Sequence, residues 1–334
     1  MKKHLLFSLT LVAFIFLSAC SEHKPVVNYQ ELRTSLISLN SSLSHSSTDD
    51  ITVLPFTEGY LQLRHALLSS SLNEPDVMAH KELDYLRIQE RYPERYLPWP
   101  SHIPVLKNVE GRVSAEELDL WLNFVITKLK EADESNIRLN RFERDAIIKQ
   151  LEDSNIDAPS RSTLLTYLND YKSRAMLGLH QLPNGKEWYQ SKLNFYGAIQ
   201  ESPNKVLAML SKIDEKKSKS IVLNTKPNTQ QPYILELLPA NCQRISGLNW
   251  RDGFINVPST VAKCTKAIEQ HKALIVTLMA VDLGIHYQGW SQKQAFVALN
   301  SKLALNEQQA QQLIANIVYF PATIFAAYPH FLKP

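Results

Sequence analysis

Asp282 and His286 stand four residues apart in the stretch Val281-Asp282-Leu283-Gly284-Ile285-His286-Tyr287-Gln288-Gly289-Trp290. A carboxylate and an imidazole at i and i+4 share one face of a helix. There the acid could orient the ring for general acid-base work. That geometry requires the helix to run through Gly284. The alternative is a helix that ends at Gly284, with His286 near the negative end of its dipole. Elsewhere the chemistry-bearing patterns are sparse. None of the ten histidines opens a His-Glu-x-x-His zinc motif, and the chain has neither a Gly-x-Ser-x-Gly nucleophile elbow nor a P-loop. His180, ahead of Gln181-Leu182-Pro183, reads as a helix-end residue rather than a ligand.

The N-terminus reads as an address. Lys2 and Lys3 precede an apolar run from Leu5 to Phe16, and Leu17-Ser18-Ala19-Cys20 has the form of a lipobox. A run this short, ending in small residues and a cysteine, predicts a cleaved signal peptide over residues 1–19 rather than a spanning helix. Cys20 is then the lipidation site, and the membrane partner is reached through that anchor. Ser21 and Glu22 do not resemble the Asp that follows the cysteine in lipoproteins kept at the inner membrane. The expected location is therefore the periplasmic face of the outer membrane.

Lys2 and Lys3 belong to 36 basic residues set against 33 acidic ones, so the chain beyond them is nearly neutral. Nucleic-acid binding, which needs a basic patch, is not expected. Cys242 and Cys264 remain after Cys20. In an oxidising periplasm such a pair is read first as a disulfide, with two free buried thiols as the alternative.

Hydrophobic spacing predicts a mainly α protein, a multi-helix domain with a small β element near residues 220–257. Residues 20–28 form a tether. Residues 29–112 form an N-terminal helical region with a proline-rich segment (Pro93, Pro98, Pro100, Pro104), which must be extended. Residues 113–334 form a C-terminal helical domain. Capping boxes are expected at Ser114/Glu117, Ser291/Gln294 and Asn306/Gln309, and Pro203 suits a first helical position. Ile221–Leu223, Tyr233–Leu238 and Phe254–Val257 read as strands.

Three blocks carry a resemblance. Asp282-Leu283-Gly284-Ile285-His286 with Gly289-Trp290-Ser291 and Gln294-Ala295 resembles the C-terminal signature of the bacterial family called domain of unknown function 885. Gly178 through Leu182-Pro183-Asn184-Gly185-Lys186-Glu187-Trp188-Tyr189 is similar to that family's Gly-x-x-x-Leu-Pro-Asp/Asn-Gly-x-x-Tyr-Tyr. Phe320-Pro321-Ala322-Thr323 to Tyr328 is similar, less closely, to a third block, in which the family's arginine aligns with Asn316 and its Gly-Gln with Ala322-Thr323. The resemblance implies a helical, exported, zinc-metallopeptidase-like protein.

This chain departs from the family where the metal should be. The family's His-Glu-x-x-Pro-Gly-His and its later Glu-Gly-Trp are missing. A hydrolytic zinc needs about three protein ligands and an open position for water, and His286 is the one plausible ligand left. The expectation is therefore no metal, no cofactor and no catalytic residue. The chain would be a non-catalytic relative that binds a peptide or envelope protein through Asp282, His286, Tyr287, Trp290 and Tyr328. The alternative is a metallopeptidase-like hydrolase with a rearranged site. As a ligand contact, His286 should be replaceable by alanine with little loss of stability.

Overall fold

The computed structural model describes residues 26–40, 54–55, 57–73, 77–92, 106, 109–213, 231–238, 245–246, 254–255 and 261–331. Cys20, Cys242, Ile221–Leu223 and the proline-rich stretch from Pro93 to Pro104 lie outside them. Helices dominate. The N-terminal ones are α1 (Tyr29–Leu39), α2 (Glu58–Ser69) and α3 (Val77–Gln89). After them come α4 (Ala115–Glu134), α5 (Arg141–Glu152) and α6 (Pro159–Asn169). A 3₁₀ turn at Leu179–Gln181 leads into α7 (Gly185–Gly197), α8 (Pro203–Ile213) and the single turn α9 (Ile234–Leu237). The long α10 (Val261–Leu283) continues as a π-helix over Gly284–Gln288. α11 (Gln292–Lys302), α12 (Glu307–Tyr319) and a 3₁₀ segment, Thr323–His330, close the chain.

Among the described residues, sheet is confined to two-residue pairs. Val26–Val27 runs parallel to Ser71–Leu72, and Ile245–Ser246 runs antiparallel to Phe254–Ile255. Tyr233–Leu238, expected as a strand, is instead a helical turn: Leu235 N–H and Glu236 N–H bond back to Pro232 and Tyr233. Asn316 holds its start, accepting from Tyr233 N–H at 3.0 Å and donating to the Gln231 carbonyl at 2.8 Å. Six mostly apolar residues do not separate strand from buried helix, and a contact from α12 decides it.

The caps follow the sequence closely. Ser114/Glu117, Ser291/Gln294 and Asn306/Gln309 all form reciprocal capping boxes, each tying down two otherwise orphan N–H groups. A fourth box, Asn140/Glu143, is buried and does more than cap. Glu143 accepts two bonds from the Arg174 guanidinium, at 2.7 and 3.1 Å. Arg174 and Asn140 both donate to the Leu177 carbonyl, at 3.1 and 2.9 Å. Burial pushes the Glu143 carboxyl pKa up, and the guanidinium opposes that shift. The network fastens residues 174–177 to the head of α5 and so aims Gly178 and Leu179 at the π-helix.

Most of the core is one continuous cluster. A satellite of Leu32, Leu36, Leu68 and Leu83 joins α1, α2 and α3. That N-terminal group docks on α7 through aromatics and amides. Tyr85 stacks on Phe195 at 3.8 Å, Tyr92 on Trp188 at 5.4 Å, and Trp188 Nε1 donates to Gln89 at 2.8 Å. Among the described residues, no single helix is long and apolar enough to cross a membrane.

Candidate functional site

The three sequence blocks meet in space around Tyr189 on α7. Helix α10 does not stop at Gly284. It widens into a π turn and ends at Gly289, whose φ of 77° supplies the left-handed cap. Asp282 and His286 therefore stay on one side and both face Tyr189. The Tyr189 hydroxyl donates to Asp282 Oδ1, and the rings of Tyr189 and His286 stack with centroids 5.4 Å apart.

Asp282 is a junction. Besides Tyr189, its two oxygens accept the Ala322 N–H at 3.2 and 3.1 Å. Ala322 has φ of 64°, a left-handed conformation costly for a residue with a Cβ and easy for glycine. A void of about 10 Å³ touches Asp282, at the threshold for one water molecule. Burial raises the Asp282 pKa to about 8, and the Tyr189 and Ala322 hydrogen bonds only partly offset this. The Tyr189 phenol is pushed well above its usual value, first by burial and then by the carboxylate.

His286 has no free nitrogen. Leu179 N–H lies 3.3 Å from Nδ1 and the Ile317 carbonyl 3.0 Å from Nε2. The first contact needs a lone pair on Nδ1 and the second a proton on Nε2, which fixes the neutral Nε2–H tautomer. Burial lowers the pKa to about 3, with the Ile317 carbonyl working in the opposite direction.

Close approach depends on the glycines. A Cβ at Gly178 would stand 1.8 Å from the Ile285 carbonyl oxygen, and one at Gly284 would stand 2.2 Å from the Trp290 indole. The ring of Trp290 thus lies on the π turn, while the Trp290 backbone N–H donates to the Gly284 carbonyl at 2.8 Å.

The expected binding residues divide accordingly. Asp282, His286 and Tyr328 are at most 1% exposed. A partner cannot reach them, so the expected direct ligand role gives way to internal bonding. Tyr328 donates to Met209 Sδ at 3.8 Å and packs by Phe325. Tyr287 and Trp290 remain half-buried at the surface, Tyr287 with the Lys186 ammonium 5.1 Å from its ring centre. His180 is half-buried against Gly289, and burial lowers its pKa. Sequence reasoning did not single out Tyr189, Ala322, Arg174 or Glu143. Tyr189 closes the second block, Ala322 stands in the third, and Asn140-x-x-Glu143 is a legible capping box; Arg174 carries no comparable local signal.

The described residues do not fit a catalytic zinc. His286 has both nitrogens engaged by backbone, and among the described residues no three His, Cys, Asp or Glu side chains converge. Cys264 is fully buried and disulfide-bonded.

No family model matches the chain, and no curated protein matches it. Among solved structures, the chain is similar to "The crystal structure of the putative lipoprotein from Colwellia psychrerythraea". It shares 12% identity, covers 90% of this chain and 89% of its own, and superposes with a TM-score of 0.51. The likeness is one of fold, extending over nearly the whole of both chains.

Proposed function

We propose that this chain is a lipid-anchored protein of a Gram-negative cell envelope that binds a peptide or protein partner without hydrolysing it. The carrying observation is the closed hydrogen bonding of Asp282 and His286. The two groups best suited to chemistry are spent on Tyr189, Ala322, Leu179 and Ile317. The lipobox ending at Cys20 supports the anchor, as does the lipoprotein description of the Colwellia structure. Ser21 and Glu22 favour the outer membrane, periplasmic side. The chain is read as a degenerate relative of the domain of unknown function 885 family, with Asp282, His286 and the glycines kept for packing. Tyr287 and Trp290 are the accessible edge of that signature. Cys242 is the natural disulfide partner of Cys264 once Cys20 is acylated.

Metal analysis and a peptidase assay test this reading. Purified protein should hold well below one zinc per chain and show no chelator-sensitive cleavage. Without zinc-bound water, general acid-base help alone is worth about 10²–10⁴-fold, short of what peptide hydrolysis requires. One tightly held zinc with chelator-sensitive cleavage would establish the hydrolase instead. For the anchor, Cys20→Ser should release the protein from outer-membrane fractions or leave it unprocessed; recovery of the unaltered protein in the soluble periplasm would remove the assignment.

A further inference from the structure

Ile37 and Leu63 stand abreast on the N-terminal helices. α1 and α2 run antiparallel: Val27 pairs with Leu72 at one end, and at the other the Tyr60 hydroxyl donates to Asn40 Oδ1 at 2.8 Å. Ile37 lies three residues inside Asn40, and Leu63 three residues inside Tyr60, so the two share one level of the pair. The inward faces are spent on the satellite core of Leu32, Leu36 and Leu68. Ile37 and Leu63 are left 42% and 52% exposed. Among the described residues only four large apolar side chains are so displayed, and this hairpin carries two of them. Thr34 and Ser38 on α1, with Gln62 and Ala66 on α2, are exposed and uncharged. Glu31 and Glu58 fall at opposite ends of the pair, and exposed His65 is bonded to Glu90 at 3.0 Å.

The leash decides what lies against this hairpin. Five residues separate Cys20 from Val26, which at full extension span no more than about 20 Å. Val26 and Val27 are laddered to Ser71 and Leu72, and Asn28 caps α1 by accepting from Glu31 N–H at 2.9 Å. Acyl chains on Cys20 therefore hold the head of α1 close to a bilayer surface. α1 has 11 residues, a length of about 16 Å, so the whole hairpin stays within reach of the lipid. Tethering also makes the contact intramolecular, and a few apolar groups then suffice where a free protein would need many.

We propose that the α1–α2 hairpin docks on the phospholipid surface that bears the anchor, with Ile37 and Leu63 entering the boundary between headgroups and acyl chains. This rests on the lipid-anchor reading above and adds the face that the molecule turns to the membrane.

The test uses mature acylated protein labelled with nitrobenzoxadiazole on Ala66→Cys, in vesicles of phosphatidylethanolamine and phosphatidylglycerol. Ala66 is exposed and lies one turn from Leu63 on the same side of α2. Adding nitroxide-labelled phosphatidylcholine to the vesicles should quench this label at least twofold, whereas a label on Val297→Cys of α11 should keep its intensity. Ile37→Asp with Leu63→Asp should abolish the quenching and leave acylation and sedimentation with vesicles unchanged. Should that double variant fail to fold, the two labels in otherwise unaltered protein decide the matter. Acylated protein whose Ala66→Cys label is unquenched, or quenched no more than the Val297→Cys label, overturns the docked face and leaves the anchor standing. Quenching that survives Ile37→Asp with Leu63→Asp in folded protein overturns it as well. Mass spectrometry showing Cys20 without acyl chains would remove the anchor and this surface together.

Discussion

His286 and Asp282 are held in the charge states that burial favours, and each therefore links stability to pH. The Asp282 pKa rises from the ordinary 3.8 to about 8 on folding. Its contribution is complete below the unfolded value and is lost as pH climbs through the folded one. The His286 pKa falls from 6.5 to about 3, so its contribution is complete above 6.5 and lost as pH falls. The two slopes oppose each other below 6.5, and Asp282 acts alone above it. Urea unfolding between pH 6.5 and 8 should show wild-type stability declining, and Asp282→Asn should flatten that decline. An unchanged slope in the variant would contradict the burial of a titrating carboxyl. His286→Ala should cost about 2–6 kcal/mol, because two buried backbone groups lose their partners at about 1–3 kcal/mol each. This reverses the expectation drawn from the sequence, where the residue read as a ligand contact. The spacing of Asp282 and His286 was legible there; their inaccessibility was not, because it comes from Leu179, Ile317 and Ala322, which are distant in the chain.

At the scale of elements, local chemistry was the readable part. Ser114, Ser291 and Asn306 announce their helices through side chains that cap within three residues, and the observed boundaries agree. The π turn is different. Nothing local to Gly284–Gln288 demands a wider turn, and its place is set by packing against Gly178 and the 3₁₀ turn at Leu179–Gln181. The two glycines should accordingly behave unlike each other. Gly178→Ala drives a Cβ into a backbone carbonyl that cannot step aside, and should cost about 3 kcal/mol or more. Gly284→Ala meets a half-buried indole that can swing outward, so a loss nearer 1 kcal/mol with stronger quenching of Trp290 by acrylamide is expected. Equal losses by thermal unfolding would mean that the π turn is not clamped from the Gly178 side. The failed strand at Tyr233–Leu238 has the same origin as the unread π turn, since Asn316 is more than eighty residues away.

Over the whole molecule, mainly α class and chain order of the helices followed from periodicity, because each amphipathic face needs only its own spacing to be seen. How the parts are joined did not. The N-terminal helices meet α7 through Gln89, Tyr85 and Tyr92, and the Glu143–Arg174 pair ties α5 to the segment that enters the site. Both side chains of that pair are nearly inaccessible, 5% and 1% exposed. Arg174→Met leaves Glu143 buried without its counter-charge and should cost about 3–5 kcal/mol in chemical denaturation; a loss under 1 kcal/mol would show the pair to be dispensable.

We propose that the Asp282–His286 signature works as an internal clamp rather than a ligand-facing or metal-binding centre. Long-range ¹H–¹⁵N correlation of the His286 ring in ¹⁵N-labelled protein tests it most directly. A neutral ring protonated on Nε2, unchanged from pH 5 to pH 8 and unmoved by added zinc, is the predicted result. A ring that titrates near 6.5, or whose nitrogens shift on adding stoichiometric zinc, would contradict it.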